Sequence, residues 1–273
     1  MDPLLLSAFA DPPAAAGNPA GFVFVKGTVP PDAAMQALAA EVGFPETAFA
    51  FPPDAKSGAY PLRWFTPAVE VDLCGHATLA AARALWDHGI DARDAIAFST
   101  RSGILTARRG ESDSMIWLDF PEEAAAECGA AAAAMVREAL RLPGGCMVLK
   151  NRMDFLACLE SEDAVLEFAP DFAALGALPA RGVILTAPAG ERAAALGCAF
   201  VSRFFAPQCG VPEDHATGSA HCALARFWAA RLDSPAMRGW QASPRGGVIA
   251  VQASSPAAGR VSLGGNVVPY QAK

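Results

Sequence analysis

Cys74–Gly89 reads CGHATLAAARALWDHG, and a second stretch of similar make-up, Thr217–Leu232, reads TGSAHCALARFWAARL. Each sets a glycine ahead of a run of small and apolar residues and reaches a tryptophan, Trp86 or Trp228, near its end. Both predict long helices. Ala77, Ala80, Ala81 and Ala84 let neighbouring elements approach closely, Leu85 and Trp86 supply bulk, and Gly89 supplies a stop. The two glycines, Gly75 and Gly218, stand 143 residues apart, about half the chain. Chance likeness between alanine-rich helices is one explanation. Duplication, with one buried axial helix per half and surrounding strands, is the other. A helix start presents unpaired N–H groups and the positive end of a dipole, which suits a carboxylate or a developing oxyanion. Two such starts facing a shared cleft would form an anion-friendly pocket.

Outward from these helices, Leu4–Ala8, Gly21–Val25, Thr47–Phe51, Tyr60–Phe65 and Glu70–Leu73 read as extended segments. Ala95–Phe98, Ile104–Ala107 and Ser114–Asp119 follow as further strands. Pro31–Val42 has helical spacing, with Met35, Leu38, Ala39 and Val42 on one face and Gly43 as its stop. The second half begins near Pro121, giving domains 1–120 and 121–273, with a terminal segment able to cross between them. Within it, Ala130–Leu140 and Asp171–Leu175 read as helices. Cys146–Lys150, Asp154–Leu159, Gly182–Thr186, Cys198–Phe204, Gly247–Gln252 and Arg260–Leu263 read as strands. The glycines at 264 and 265, and those near 246, read as turn signals.

The bulk composition narrows the function. At 273 residues and 53% hydrophobic content the chain can bury a sizeable core, and 18% charge argues against disorder. Twenty-one basic against 28 acidic residues give a net charge of −7, which offers no broad attraction to nucleic acid or anionic lipid. No apolar run reaches the roughly 20 residues of a membrane span, and MDPLLLSAFADPP lacks the features of a secretory signal. Seven scattered cysteines without a CxxC pair fit reduced thiols in a cytoplasmic setting. Phosphate-loop, HExxH and GxSxG motifs are absent from the sequence. Cys209 with His215 is too thin a set for zinc, so no metal and no cofactor are expected.

The chemistry-bearing residues gather at the two helix starts. His76 follows Gly75, where an imidazole can move a proton near neutral pH; a structural histidine is the plainer account. Glu46 follows Gly43-Phe44-Pro45 at a helix-to-strand junction, either as an exposed loop acid or as a carboxylate reaching a cleft. As an acid or base it needs partial desolvation. Glu70 is more readily structural. Glu213-Asp214-His215-Ala216-Thr217-Gly218-Ser219 concentrates polar groups before the second helix. Asp214 could bind a hydroxyl or ammonium or move a proton. Gly218 and Ser219 offer donors to an anion, and Thr217 or Ser219 equally could cap the helix. Cys74, next to the helix start, could be a small buried residue or a thiol acidified by the helix field. Cys209 and Cys222 would be its candidate partners in a two-thiol racemase, but neither occupies the corresponding place in the second half, where Thr217 stands.

Gly17-Asn18-Pro19-Ala20-Gly21, Gly43-Phe44-Pro45-Glu46-Thr47-Ala48-Phe49, Arg63-Trp64-Phe65-Thr66-Pro67, Glu70, Cys74-Gly75-His76-Ala77-Thr78 and the 210–220 segment GVPEDHATGSA span most of the chain in order. Together they resemble the phenazine-biosynthesis isomerase-like (PhzF-like) family within the diaminopimelate-epimerase-type fold. The resemblance implies an α+β chain of two similar domains, each a curved, mainly antiparallel sheet around a central helix, with the active cleft between them. It puts the family's catalytic glutamate on Glu46, its site histidine on His76 with Gly75 beside it, and the aspartate and serine of its second motif on Asp214 and Ser219. A homodimer is implied only by association. Two departures matter. His215 replaces the usual proline after the aspartate. Cys74 matches the first thiol of racemase and epimerase relatives, whereas Thr217 stands where the second would be. The working expectation is a cofactor-free isomerase of a small carboxylate metabolite, with Gly75, Gly218 and Ser219 holding the carboxylate. A Cys74-assisted racemase or epimerase and a non-catalytic metabolite-binding protein are the alternatives.

Overall fold

In the computed structural model, which describes residues 2–110, 115–253 and 259–272, the chain divides into two units. Unit 1 is Met1–Phe120 with Gly264–Lys273, and unit 2 is Pro121–Leu263. Unit 1 runs β1 (Leu4–Ala10), β2 (Asn18–Phe24), α1 (Asp32–Val42), β3 (Glu46–Ala50), β4 (Tyr60–Phe65), β5 (Glu70–Val71), α2 (Gly75–Asp87), β6 (Ala95–Thr100), β7 (Gly103–Arg109) and β8 (Ile116–Pro121). Unit 2 runs β9 (Ala126–Glu127), α3 (Ala130–Ala139), β10 (Met147–Lys150), β11 (Asp154–Cys158), α4 (Glu162–Leu166) and α5 (Phe172–Gly176). It continues with β12 (Gly182–Pro188), α6 (Glu191–Ala195), β13 (Phe200–Ala206), β14 (Val211–Asp214), α7 (Gly218–Leu232), β15 (Ala236–Gln241) and β16 (Gly247–Gln252). The last strand, β17 (Arg260–Pro269), begins in unit 2 and ends in unit 1.

The two units repeat one wiring. In unit 1, β2 and β3 are parallel, β3–β4 and β4–β5 antiparallel, β4–β6 parallel and β6–β7 antiparallel. In unit 2, β11–β12, β12–β13, β13–β14, β13–β15 and β15–β16 follow the same sequence of directions. The sheets are mainly antiparallel, with these parallel pairs inside them.

Each axial helix is buried nearly all round, which is why its sequence shows small residues rather than one apolar stripe. Ala77, Leu79, Ala80, Ala81, Ala82 and Leu85 of α2 are fully buried against β1, β2, β3 and β7. Full burial of a leucine such as Leu79 or Leu85 stabilises by about 1.5–3 kcal/mol. Both helices also bond back to their first carbonyl: Thr78 Oγ1 donates to Cys74 O (2.6 Å), and His221 Nδ1 lies 2.9 Å from Thr217 O. Trp228 stacks on Phe200 at 9° and donates to Thr186 Oγ1 at 2.9 Å.

His221 has a pH consequence. Burial pushes its imidazole down to about 4, against a smaller opposing pull from the Thr217 carbonyl. The unfolded chain therefore binds a proton at this residue below about pH 6.5 that the folded chain refuses. The stabilisation is complete above pH 6.5, falls by about 3 kcal/mol as pH drops to 4, and is flat below. His221→Asn, which keeps a donor at the δ position, is expected to flatten this part of the unfolding free energy against pH. An unchanged slope would refute the assignment.

Several sequence expectations change. Gly264 and Gly265 do not turn the chain; they lie inside β17, which runs six residues beyond Leu263. A Cβ on Gly264 would sit 2.9 Å from the Trp117 ring, and one on Gly265 2.4 Å from Phe9, so close packing is what requires glycine there. Gly246, at φ +70°, is a genuine turn residue, and Gly43, at φ +67°, ends α1 in the left-handed conformation as expected. β15, α4 and α6 were not anticipated. Ser114, the expected start of a strand, lies outside the described residues. No described helix is long and apolar enough to cross a membrane, and all seven cysteines are free.

Candidate active site

In unit 1 the candidate residues gather where β3 begins and α2 begins. Glu46 is the first residue of β3, three residues after the left-handed stop at Gly43 that ends α1. Its Oε2 lies 3.1 Å from His76 Nε2, with side-chain exposures of 19% and 7%. That oxygen is in ion-pair range but accepts no hydrogen bond among the described residues, so its lone pairs remain available to a proton. On the other ring nitrogen, Cys74 Sγ lies 3.5 Å and Asn18 Nδ2 3.4 Å from His76 Nδ1. Asn18, from the Gly17-Asn18-Pro19 stretch, is the first residue of β2, and its contact with His76 spans 58 residues of sequence.

Burial pushes the Cys74 thiol up to about 11, and the Glu46 carboxylate adds to the rise. His76 and the Ala77 amide oppose them. Of the two readings of Cys74, this fits the small buried residue rather than the acidified thiol, and Cys74 is a protonated thiol at neutral pH. For His76, burial disfavours the charged ring, but Cys74 and the Glu46 carboxylate more than offset this and hold it well above its ordinary value. With Cys74 neutral, the lasting counter-charge is Glu46. Ligand atoms of Glu46, Cys74 and His76 all lie within 4.8 Å of one another, a set able to hold a metal ion. A cation would have to displace protons from both the thiol and the imidazole to bind.

Glu70 lies apart from this chemistry. Arg63 grips it with two bonds of 2.7 Å, and Arg101 adds a third contact at 2.6 Å. Arg203 grips Glu213 in the same way, at 2.7 and 2.9 Å. Each glutamate stands four residues before its helix N-cap, Cys74 or Thr217, so each pair pins the chain that enters an axial helix.

In unit 2 Thr217 is the α7 N-cap residue, yet neither it nor Ser219 caps the helix through its side chain. Thr217 Oγ1 donates to Asp214 Oδ2 (2.6 Å), and the His215 amide donates to Asp214 Oδ1 (2.8 Å). Gln241, at the end of the unanticipated β15, holds this loop: its Oε1 accepts from the Thr217 amide and its Nε2 donates to the Asp214 carbonyl, each at 2.8 Å. His215 also accepts from Ser243 Oγ through its carbonyl (2.7 Å). Ser219 Oγ accepts from Arg181 Nη2 (2.9 Å), a residue the sequence reading passed over.

Strand register compares the two units position by position. Arg63 lies opposite Phe49, and Arg203 opposite Leu185. Aligning the two arginines therefore matches Glu46 with Gly182, while the helix starts match Cys74 with Thr217 and His76 with Ser219. None of the three proton-active residues of unit 1 is repeated in unit 2. Cys222 is buried within α7 and Cys209 is exposed, so neither takes the place of a second thiol at the helix start.

A mainly antiparallel sheet around a buried, glycine-started helix, wired twice in one chain, defines the epimerase-type fold. At 13% identity and a TM-score of 0.57 this fold is shared with a hydroxyproline epimerase from Agrobacterium vitis, over 98% of this chain and 91% of that one. The chain belongs to the phenazine biosynthesis-like (PhzF-like) family, whose profile matches residues 6–272. It is 43% identical over 237 residues to an uncharacterized isomerase of Pseudomonas aeruginosa, covering 87% of this chain and 84% of that protein. A crystal structure of a PhzF-family protein from Enterococcus faecalis superposes with a TM-score of 0.83 at 33% identity, covering 98% and 96% of the two chains.

Proposed function

We propose that this chain is a cofactor-independent isomerase that moves a proton on a small carboxylate-bearing metabolite. The observation that carries the reading is the Glu46–His76 contact at 3.1 Å, in which a largely buried carboxylate oxygen accepts no hydrogen bond and faces the imidazole whose charged form it favours. Glu46 removes a proton from an activated carbon and returns it elsewhere on the same skeleton. His76 balances the charge as it moves, and Asp214 orients a polar group of the substrate. Gly75, Gly218 and Ser219 take the carboxylate. The absence of a thiol at the α7 start among the described residues favours one base acting twice over two opposed thiols. The scattered free cysteines suit a cytoplasmic setting. The test is proton exchange in D2O: carboxylate metabolites incubated with the enzyme should gain solvent deuterium at carbon, and Glu46→Gln should stop it.

The 3.5 Å approach of Cys74 Sγ to His76 Nδ1 supports a second reading, in which the thiol helps a racemase or epimerase. A thiol raised to about 11 is a poor base at neutral pH. Cys74→Ser is accordingly expected to keep deuterium exchange within about tenfold of the parent. Stereochemical inversion lost in Cys74→Ser, with Glu46→Gln still active, would replace the single-base reading with the thiol one.

A further inference from the structure

Arg181 immediately precedes Gly182, the position that register matches with Glu46. In unit 1 the strand start sends a carboxylate to the second residue of α2, His76. In unit 2 the equivalent strand start sends a guanidinium to the second residue of α7, Ser219. The same wiring thus delivers opposite charges to the two helix starts.

The guanidinium is held on three sides. Nε donates to Asp154 Oδ1 at 2.9 Å, Nη2 donates to Asp154 Oδ2, and Asp154 is fully buried. Nη2 also donates to Ser219 Oγ, and the Phe204 ring lies 5.2 Å beneath the guanidinium carbon. Nη1 makes no hydrogen bond among the described residues, and 32% of the side chain is exposed. Because Ser219 Oγ accepts from Arg181, its own O–H is left to donate elsewhere. A fixed fork with one open edge beside a free hydroxyl donor is suited to a planar oxoanion.

We propose that Arg181 is a substrate-binding residue that reads a carboxylate through Nη1, with the Ser219 hydroxyl as second donor. This rests on the proposed reaction only in taking that carboxylate to be the substrate's.

Formate is small enough to probe the site without knowledge of the substrate, and formamide is its neutral counterpart. In NMR titrations of the full chain, formate is expected to shift the Arg181 Nε–Hε signal and the Gly218 and Ser219 amides along one saturable curve, while formamide does not. Signals that stay still, or respond equally to formamide, overturn the proposal from the parent protein alone. The double variant Asp154→Asn/Arg181→Met removes both charges of the pair together and is expected to weaken formate binding about tenfold or more. Undiminished binding there would leave the helix start as the anion site and reject Arg181. Glu46→Gln should bind formate as the parent does. Full proton exchange in Glu46→Gln beside intact formate binding would remove the proposed reaction and leave the anion site standing.

Discussion

Glu46→Gln is expected to lower solvent-proton exchange by about 10²–10⁴, the usual contribution of a positioned acid or base, while leaving the fold intact. Glutamine keeps the side-chain volume and the position at the head of β3 but cannot take up a proton. The variant has a second, substrate-free readout. The Glu46 carboxylate is one of the charges that hold His76 above its ordinary value. Removing it while burial remains should move the His76 titration midpoint down, visible in the imidazole NMR signals. Loss of exchange with a lowered midpoint supports the pair acting as a unit. Full exchange would end the role given to Glu46, and an unmoved midpoint would mean that the 3.1 Å contact does not govern the ring's charge.

The largest stability effect is expected at Arg203→Met. Arg203 donates twice to Glu213 and also to the carbonyls of Val165 and Phe168, with only 10% and 11% of the two charged side chains exposed. Methionine fills much of the volume but leaves a buried carboxylate uncompensated and two carbonyls without this donor. Breaking a buried pair from one side costs about 3–5 kcal/mol. Its counterpart, Arg63→Met, is expected to cost about 1 kcal/mol, because Arg63 is 23% exposed and Glu70 keeps Arg101 at 2.6 Å. Denaturant unfolding of the two variants measures the difference directly. Equal losses would show that burial is not what distinguishes the two clamps.

The axial helices were legible because complete burial leaves its own mark: alanines on every face, a glycine at the start and a tryptophan near the end. The duplication could also be read from Gly75 and Gly218, and more sharply from the equal spacing of Glu70 to Cys74 and Glu213 to Thr217. Glu46 and His76 came from local context and the family resemblance, but their 3.1 Å contact depends on β3 lying beside β2, a parallel pairing that leaves no local trace. Arg181 was illegible for the same reason: it is defined by Asp154, 27 residues away, and Ser219, 38 residues away. β15 was missed because AMRGWQ alternates only partly, and its end residue Gln241 is buried for its hydrogen bonds rather than its apolar surface. Gly264 and Gly265 misled because a glycine pair normally marks a bend, whereas here neighbouring rings leave no room for a Cβ.

The strand Arg260–Pro269 has a consequence for dissecting the protein. Its second part belongs to unit 1, where Ala10, Ala8, Ser7 and Leu6 pair with Asn266, Val267, Val268 and Pro269. A gene fragment stopped after residue 120 would therefore encode an incomplete lobe, with one flank of its first strand bare and ready to recruit another chain. Supplying residues 264–273 as a peptide, or fusing them ahead of Leu4 through a linker, is the rational way to make that lobe soluble by itself.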